Sequence, residues 1–333
     1  MKRRSAQLLT VALTSVLTTT VVLTAGNMLL GIGNRVRING KVYSDEGVRE
    51  LIAEANEDGK NSVLNQVKQD VTDGYSALSV LKRLYPDNLV VASSGGYHFL
   101  EIDDSIPQND YNVENIIADE NTGRYSYTDD VHGTAKFGID VSSFQGDIDW
   151  QAVKAEGVEF AFVRVAYRGY GSGKLVEDDK CRQNMAGAHA AGIPVGAYVF
   201  SQAVNEGEIL EEAQAAIGVA NEFGVDLPIV LDIEKVNDSA ARGNQLSVEE
   251  RTALVRTFCD TVSAAGYTPM IYHNTEMGAM MLDLTQLTGY DKWFAGYNKE
   301  FYWPYEFKIW QYTEKGSLNG IKGDVDLDLW LSE

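Results

Sequence analysis

Residues 137–333 read as an α/β fold, an incomplete (β/α) barrel. Short apolar runs alternate with helical patterns from Phe137 onward, which implies a parallel sheet. Eight such runs in one unit imply closure into a barrel, and the last runs are joined by loops too short for full helices. The strand candidates are Phe137 to Val141, Phe160 to Ala166, Pro194 to Phe200, Pro228 to Ile233, Pro269 to Tyr272, Trp293 to Ala295, Phe307 to Gln311 and Val325 to Leu329. Helices are expected at Trp150 to Glu156, Asp179 to Ala191, Glu206 to Phe223 and Ser247 to Ala265. The last opens with a capping box, Ser247-Val248-Glu249-Glu250.

Upstream, residues 35–136 read as a largely helical stalk and connector. Val63, Val67, Val71, Tyr75, Leu78, Leu81 and Leu84 recur at three- and four-residue spacing, predicting a long amphipathic helix that ends before Pro86. A shorter helix is expected over Val48 to Ala55. Leu89 to Ala92 and Tyr97 to Ile102, split by Ser93-Ser94-Gly95-Gly96, predict a hairpin. Asp103 to Lys136, rich in Asp, Asn and Tyr, is expected to run as an extended connector.

Residues 1–34 read as a membrane segment. Lys2, Arg3 and Arg4 precede an uncharged stretch from Ser5 to Asn34, long enough for a hydrocarbon core that needs ~20 residues. A cleaved signal would have a short apolar core and a small-residue site. Here apolar residues resume at Met28 after the weak candidate around Ala25, which favours an uncleaved anchor. The positive-inside rule then keeps the start cytoplasmic and places the remainder outside, single-pass, with the cytoplasmic membrane as a partner. A secreted protein is the outcome if the segment is cleaved.

The 333 residues carry 28 Lys plus Arg against 48 Asp plus Glu, a formal charge of -20, with six of the basic residues and no acid before residue 42. A polyanionic body argues against nucleic acid, since phosphate binding needs clustered cations. The histidines (His98, His132, His189, His273) show no paired metal spacing, so neither metal nor cofactor is expected. Ser142, Ser143 and Ser201 lack a serine-hydrolase context. Cys181 and Cys259 are expected as buried free thiols, one disulfide being the alternative in an exported protein.

The sharpest local signal is Pro228-Ile229-Val230-Leu231-Asp232-Ile233-Glu234. Residues two apart on a strand share a face, so Asp232 and Glu234 point the same way at the C-terminal end, which in barrels is the catalytic rim. Their repulsion raises one pKa and keeps that group protonated as a general acid. The bland alternative is a solvated strand end neutralised by Lys235. Asp140 lies within the first barrel strand, where an unpaired inward charge is costly. Gly323-Asp324-Val325-Asp326-Leu327-Asp328-Leu329 alternates acid with apolar residues, giving a face of carboxylates. Tyr198, Tyr272, Trp293, Tyr297, Trp310 and Tyr312 fall at predicted strand ends. Acids and aromatics at one barrel mouth suit a carbohydrate.

Phe137-Gly138-Ile139-Asp140-Val141-Ser142-Ser143-Phe144-Gln145-Gly146 with Ile148-Asp149-Trp150, Phe162-Val163-Arg164, Gly196-Ala197-Tyr198-Val199-Phe200-Ser201, Leu231-Asp232-Ile233-Glu234, Ile309-Trp310-Gln311-Tyr312 and Val325-Asp326-Leu327-Asp328 together resemble glycoside hydrolase family 25, the lysozyme-like muramidases. The resemblance covers about residues 137–333. It implies a modified TIM-like (β/α)5(β)3 barrel and a peptidoglycan hydrolase that cleaves the β-1,4 bond between N-acetylmuramic acid and N-acetylglucosamine. The family's four acidic positions fall on Asp140, Asp232, Glu234 and Asp326. Glu234 is the expected general acid; Asp232 orients the 2-acetamido group for internal attack or stabilises positive charge. Arg164, Tyr198, Tyr272, Trp293, Tyr297, Trp310 and Gln311 are the expected substrate-binding set. One departure stands out: many members carry Lys-x-Thr-Glu-Gly where this chain has Arg164-Val165-Ala166-Tyr167-Arg168-Gly169. The rival readings are a chitinase-type barrel, whose longer acidic motif needs an acid where Val230 stands, and a catalytically silent wall-binding protein tethered to the membrane.

Overall fold

The structure, a computed structural model, describes residues 36–38, 41–93, 95–297 and 301–332. The expected membrane segment, residues 1–34, lies outside the described residues, among which no helix is long and apolar enough to cross a membrane. The chain divides into two compact units at Leu84/Tyr85.

In the first unit β1 (Val36–Ile38) and β2 (Lys41–Tyr43) pair antiparallel ahead of α1 (Asp45–Thr72) and α2 (Ala77–Leu84). Ser44 caps α1 by accepting the Gly47 N–H at 3.2 Å. The expected break between Ala55 and Val63 does not occur. Gly59 costs a helix interior only ~1 kcal/mol, so α1 runs through it, and the chain turns instead at Gly74, whose φ of 83° suits glycine. Val63 and Val71 of the periodic apolar face are exposed, whereas Val80 is buried.

The second unit opens with the expected hairpin, β3 (Asn88–Ser93) and β4 (Gly96–Glu101). Residues 103–135 are not a free connector. They carry β5 (Ile116–Ala118), β6 (Tyr125–Asp129) and β7 (Gly133–Thr134) and lie as a strap on the outer wall of the barrel. Tyr111 donates its hydroxyl to the Phe307 carbonyl at 2.7 Å, and Asn109 donates to the Trp303 carbonyl at 2.6 Å. Tyr125 stacks on Tyr312 with ring centroids 4.8 Å apart. These Tyr and Asn side chains read as linker composition because their packing partners lie nearly 200 residues away in sequence.

The barrel follows as β8 (Lys136–Val141), α3 (Trp150–Ala155), β9 (Phe160–Arg168), the short edge strand β10 (Leu175–Glu177), α4 (Cys181–Ala190), β11 (Val195–Ser201), α5 (Glu206–Phe223), β12 (Ile229–Ile233), α6 (Val248–Ala264), β13 (Pro269–Asn274), β14 (Asp291–Ala295), β15 (Ile309–Gly316) and β16 (Val325–Trp330). All eight expected strands form, and the sheet closes in the order β8-β9-β11-β12-β13-β14-β15-β16-β8. The pairs from β8 round to β15 are parallel, and β16 runs antiparallel to both its neighbours. Four helices match the sequence expectation, and the Ser247–Glu250 capping box closes as anticipated. After β13 stand only two short turns, a wide one at Met277–Met281 and a tighter one at Leu284–Gln286.

Strand alternation splits the core into two layers. Val141, Val163, Val199 and Leu231 face the helices, while Phe160, Phe162, Tyr198, Val230, Met270, Tyr272, Trp293 and Ile309 fill the interior. Two interior glycines make room for this filling: a Cβ on Gly138 would lie 2.2 Å from the Phe160 ring, and one on Gly196 2.2 Å from Phe162. Cys181 and Cys259 are buried free thiols, as expected.

Candidate active site

Parallel strands β8, β9, β11, β12, β13, β14 and β15 all end at one mouth. Because β16 runs the other way, its first residues arrive there: Asp326 is the register partner of Asp140, and Asp328 pairs with Gly138. Asp232 stands opposite Tyr272, and Gln311 opposite Asp328. The four acids singled out in the sequence are thus gathered from three strands, and the carboxylate face of Val325–Trp330 points inward.

A hydrogen-bonded chain joins the two sides of the mouth. Gln311 donates Nε2–H to Asp140 Oδ2 at 2.7 Å, and its Oε1 accepts from Tyr272 at 2.8 Å and from Tyr297 at 2.7 Å. Two phenols on the oxygen fix the amide's orientation. The Tyr272 hydroxyl also reaches Glu234. Its single proton can turn to Glu234 when that carboxyl ionises, because Tyr297 still serves Gln311.

Burial in the mouth, with charge crowding second, sets the protonation states. Burial pushes Glu234 up to about 7, helped by the Asp326 and Glu314 charges and opposed by Tyr272. Burial, then Glu314 and Asp324, pushes Asp326 up to about 6. Asp232 is raised well above the carboxylate range by burial and by Glu234, with the Arg164 guanidinium opposing. Asp140 is raised by burial, then by Asp326 and Asp328. The site therefore holds protons near neutrality, which is what a general acid requires. Asp232 Oδ1 is buried and finds no donor among the described residues. Lys235 does not neutralise the pair; its ammonium bonds Glu276 at 2.7 Å.

Arg164 points inward from β9, but its guanidinium is committed to Asp178 (2.8 and 2.9 Å) and to Ser143 Oγ at 3.2 Å. Asp178, on the loop after β10, supplies an acid beside Arg164-Val165-Ala166-Tyr167-Arg168-Gly169, a stretch without one, and it also accepts the Ser143 N–H at 3.0 Å. The Ser142–Gly146 loop is built by reciprocal bonds: Ser142 Oγ accepts the Phe144 N–H at 3.2 Å, and Gln145 Oε1 accepts the Ser142 N–H at 2.9 Å. Gly146 ends the loop at φ 65°. This geometry lifts Phe144 out to 83% exposure, with Arg164 4.9 Å from its ring centre.

The expected substrate-binding residues do not all reach the mouth. Tyr297 is 47% exposed there, and Tyr272 and Gln311 line the hydrogen-bonded chain beneath it. Tyr198 and Trp293 sit deeper, in the interior packing, and Trp293 gives its indole N–H to Asp328 at 3.0 Å. Trp310 is a correction. Adjacent strand residues face opposite sides, so Gln311 inside puts Trp310 outside, where it is fully buried against Tyr125, Phe301 and Tyr312 and bonds the Gly296 carbonyl at 2.9 Å. Sequence reasoning missed Asp178 and Phe144 and gave Asp328 no role, although the acid alternation of β16 already carried the last.

The sequence profile of glycosyl hydrolases family 25 matches residues 139–321. Among curated proteins the chain is similar to Lysozyme M1 of Streptomyces globisporus, at 29% identity over 57% of this chain and 65% of that one. It is also similar to the autolytic lysozyme of Clostridium acetobutylicum, at 27% over 57% and 54%. The chain thus spans less than two thirds of the length of either relative. Among solved structures, a family 25 glycosyl hydrolase from Bacillus anthracis shares the fold, with a TM-score of 0.51 at 24% identity over 62% of this chain and 93% of that one. With a profile match covering more than half its length, and with the barrel order and inward acids in place, the chain belongs to glycosyl hydrolases family 25.

Proposed function

We propose that the chain is a muramidase that cleaves the β-1,4 bond between N-acetylmuramic acid and N-acetylglucosamine in peptidoglycan glycan strands. The observation that carries this is Glu234, held protonated up to about pH 7 beside an acceptor, Asp232 Oδ1, that has no donor among the described residues. Glu234 protonates the glycosidic oxygen as the oxocarbenium-like transition state forms. Asp232 Oδ1 accepts the 2-acetamido N–H and turns the amide oxygen toward the anomeric carbon. Asp140 and Asp326 supply negative potential to the developing positive charge. Gln311 and Tyr272 hold the geometry, Arg164 keeps Asp178 and the Ser143 loop in place, and Tyr297 with Phe144 offers ring faces to the sugars at the rim. Purified protein should release muramic-acid reducing ends from cell walls, and Glu234→Gln should lower the rate at least ~10²-fold. Release of N-acetylglucosamine reducing ends would overturn the bond assignment.

We further infer that residues 6–33 tether the enzyme to the outer face of the cytoplasmic membrane, supported by the basic start and the uncharged stretch that follows it. Protease added to intact wall-less cells should remove the barrel. A soluble form beginning just after Ala25 would show cleavage instead.

A further inference from the structure

We propose that Asp328 is a positioning residue for Asp140: the two buried carboxyls share one proton, and that bond, with Gln311 on the other side, fixes Asp140 at the mouth. Asp328 is 0% exposed inside the barrel. Its Oδ1 accepts the Trp293 indole N–H at 3.0 Å, and its Oδ2 finds no N–H or O–H donor from β14, β15 or elsewhere among the described residues. What it does reach is the Asp140 carboxyl. Gly138, its register partner, has no side chain to intervene.

An ionised carboxylate only accepts, so two facing carboxyls bond only when a proton lies between them. Two bare charges at this depth would be far costlier than one shared proton. The charged and titratable groups facing the pair are Asp326 from β16, Asp232 from β12 and the phenols of Tyr198, Tyr272 and Tyr297; the two acids favour retention of the proton, and burial holds the phenols neutral. The neutral Trp293 and Gln311 complete the surroundings with one donor each. The pair then carries a single negative charge, delocalised over two hydrogen-bonded carboxyls, and titrates as a unit. No bond to carbon changes; the proton only moves between Asp140 and Asp328.

This rests on the carboxylate mechanism above, so the first readout is independent of glycan cleavage. Infrared difference spectra of the full chain at about pH 8, above the Glu234 range, should show that Asp328→Asn removes one protonated-carboxyl C=O band. In that variant the side-chain oxygen still accepts from Trp293 and the new N–H still donates to Asp140, so kcat should stay within about tenfold of wild type. Asp328→Leu keeps the branched shape and loses the bond, and kcat should fall ~10²-fold with little change in KM, as expected of a displaced reacting group. An unchanged band in Asp328→Asn would overturn the shared proton even if Asp328→Leu failed to fold. A folded Asp328→Leu with full kcat would overturn the positioning role. Band loss in Asp328→Asn with no wall cleavage by the wild type would instead sink the glycosidase reading and leave the shared proton standing.

Discussion

Gln311 on β15 donates to Asp140 on β8 across 2.7 Å, joining two strands that are not neighbours in the sheet. The bond gives the buried Asp140 carboxyl its N–H donor and fixes its orientation. Gln311→Glu should therefore be worse than Gln311→Ala, because it sets an acceptor against an acceptor and adds a charge to the cluster. Steady-state rates on wall fragments give the order, and a more active Gln311→Glu would contradict it.

The basic limb of the pH profile should fall near 7, where Glu234 loses its proton. Tyr272 favours the ionised form, so Tyr272→Phe should move the limb of kcat/KM to higher pH. The Glu314 charge disfavours ionisation, so Glu314→Gln should move it to lower pH. Shifts of up to about one unit are expected, and parallel movement in both variants would contradict the assignment.

Stability should also depend on pH in an uncommon direction. Glu234 and Glu212 are raised to about 7 and Asp326 to about 6, chiefly by burial, from ordinary values of 4.5, 4.5 and 3.8. The folded state then binds more protons than the unfolded one, so this stabilisation is full below the unfolded values and is lost as pH rises through 6 to 7. His273, lowered to about 4, opposes it up to 6.5 but is one group against several. The thermal midpoint should be higher at about pH 5 than at about pH 7.5, and Glu212→Gln should flatten part of the slope. A midpoint that rises over that range would refute the argument.

The strap on the outer wall makes its own demand. Tyr127 is buried in the same core as Trp310 and Phe307, and its replacement by Ala should cost about 3–5 kcal/mol, read as a lower denaturation midpoint. A fragment starting at Phe137 should be less stable and more aggregation-prone than one starting at Tyr85, because it bares Tyr312 and Trp310. Equal midpoints for the two fragments would show that the strap is dispensable.

Phe144 is exposed and packs no core, so Phe144→Ala should leave stability within about 0.5 kcal/mol of wild type. If its ring carries a sugar at the rim, KM for long glycan fragments should rise while kcat changes little. A change confined to kcat would place Phe144 in the chemistry instead.

The sequence by itself determined the barrel strands, their inward and outward faces, and the Asp232–Glu234 pair. These are local properties: alternation has a period of two, apolar runs have ends, and an acid inside such a run announces itself. The same alternation puts Trp310 outside once Gln311 is inside, so its place too is a local property. What only the tertiary structure decided are the pairings between distant segments. Asp178 meets Arg164, Gln311 meets Asp140, Asp328 meets both Trp293 and Asp140, and residues 103–135 fold back onto β15. No periodicity encodes such contacts: Gln311 and Asp328 meet Asp140 only because closure sets β8 beside β16, and Asp178 meets Arg164 because β10 folds back along β9. The protonation states follow from that closure too, since a carboxyl's pKa is set by how many other acids and how much protein surround it in space.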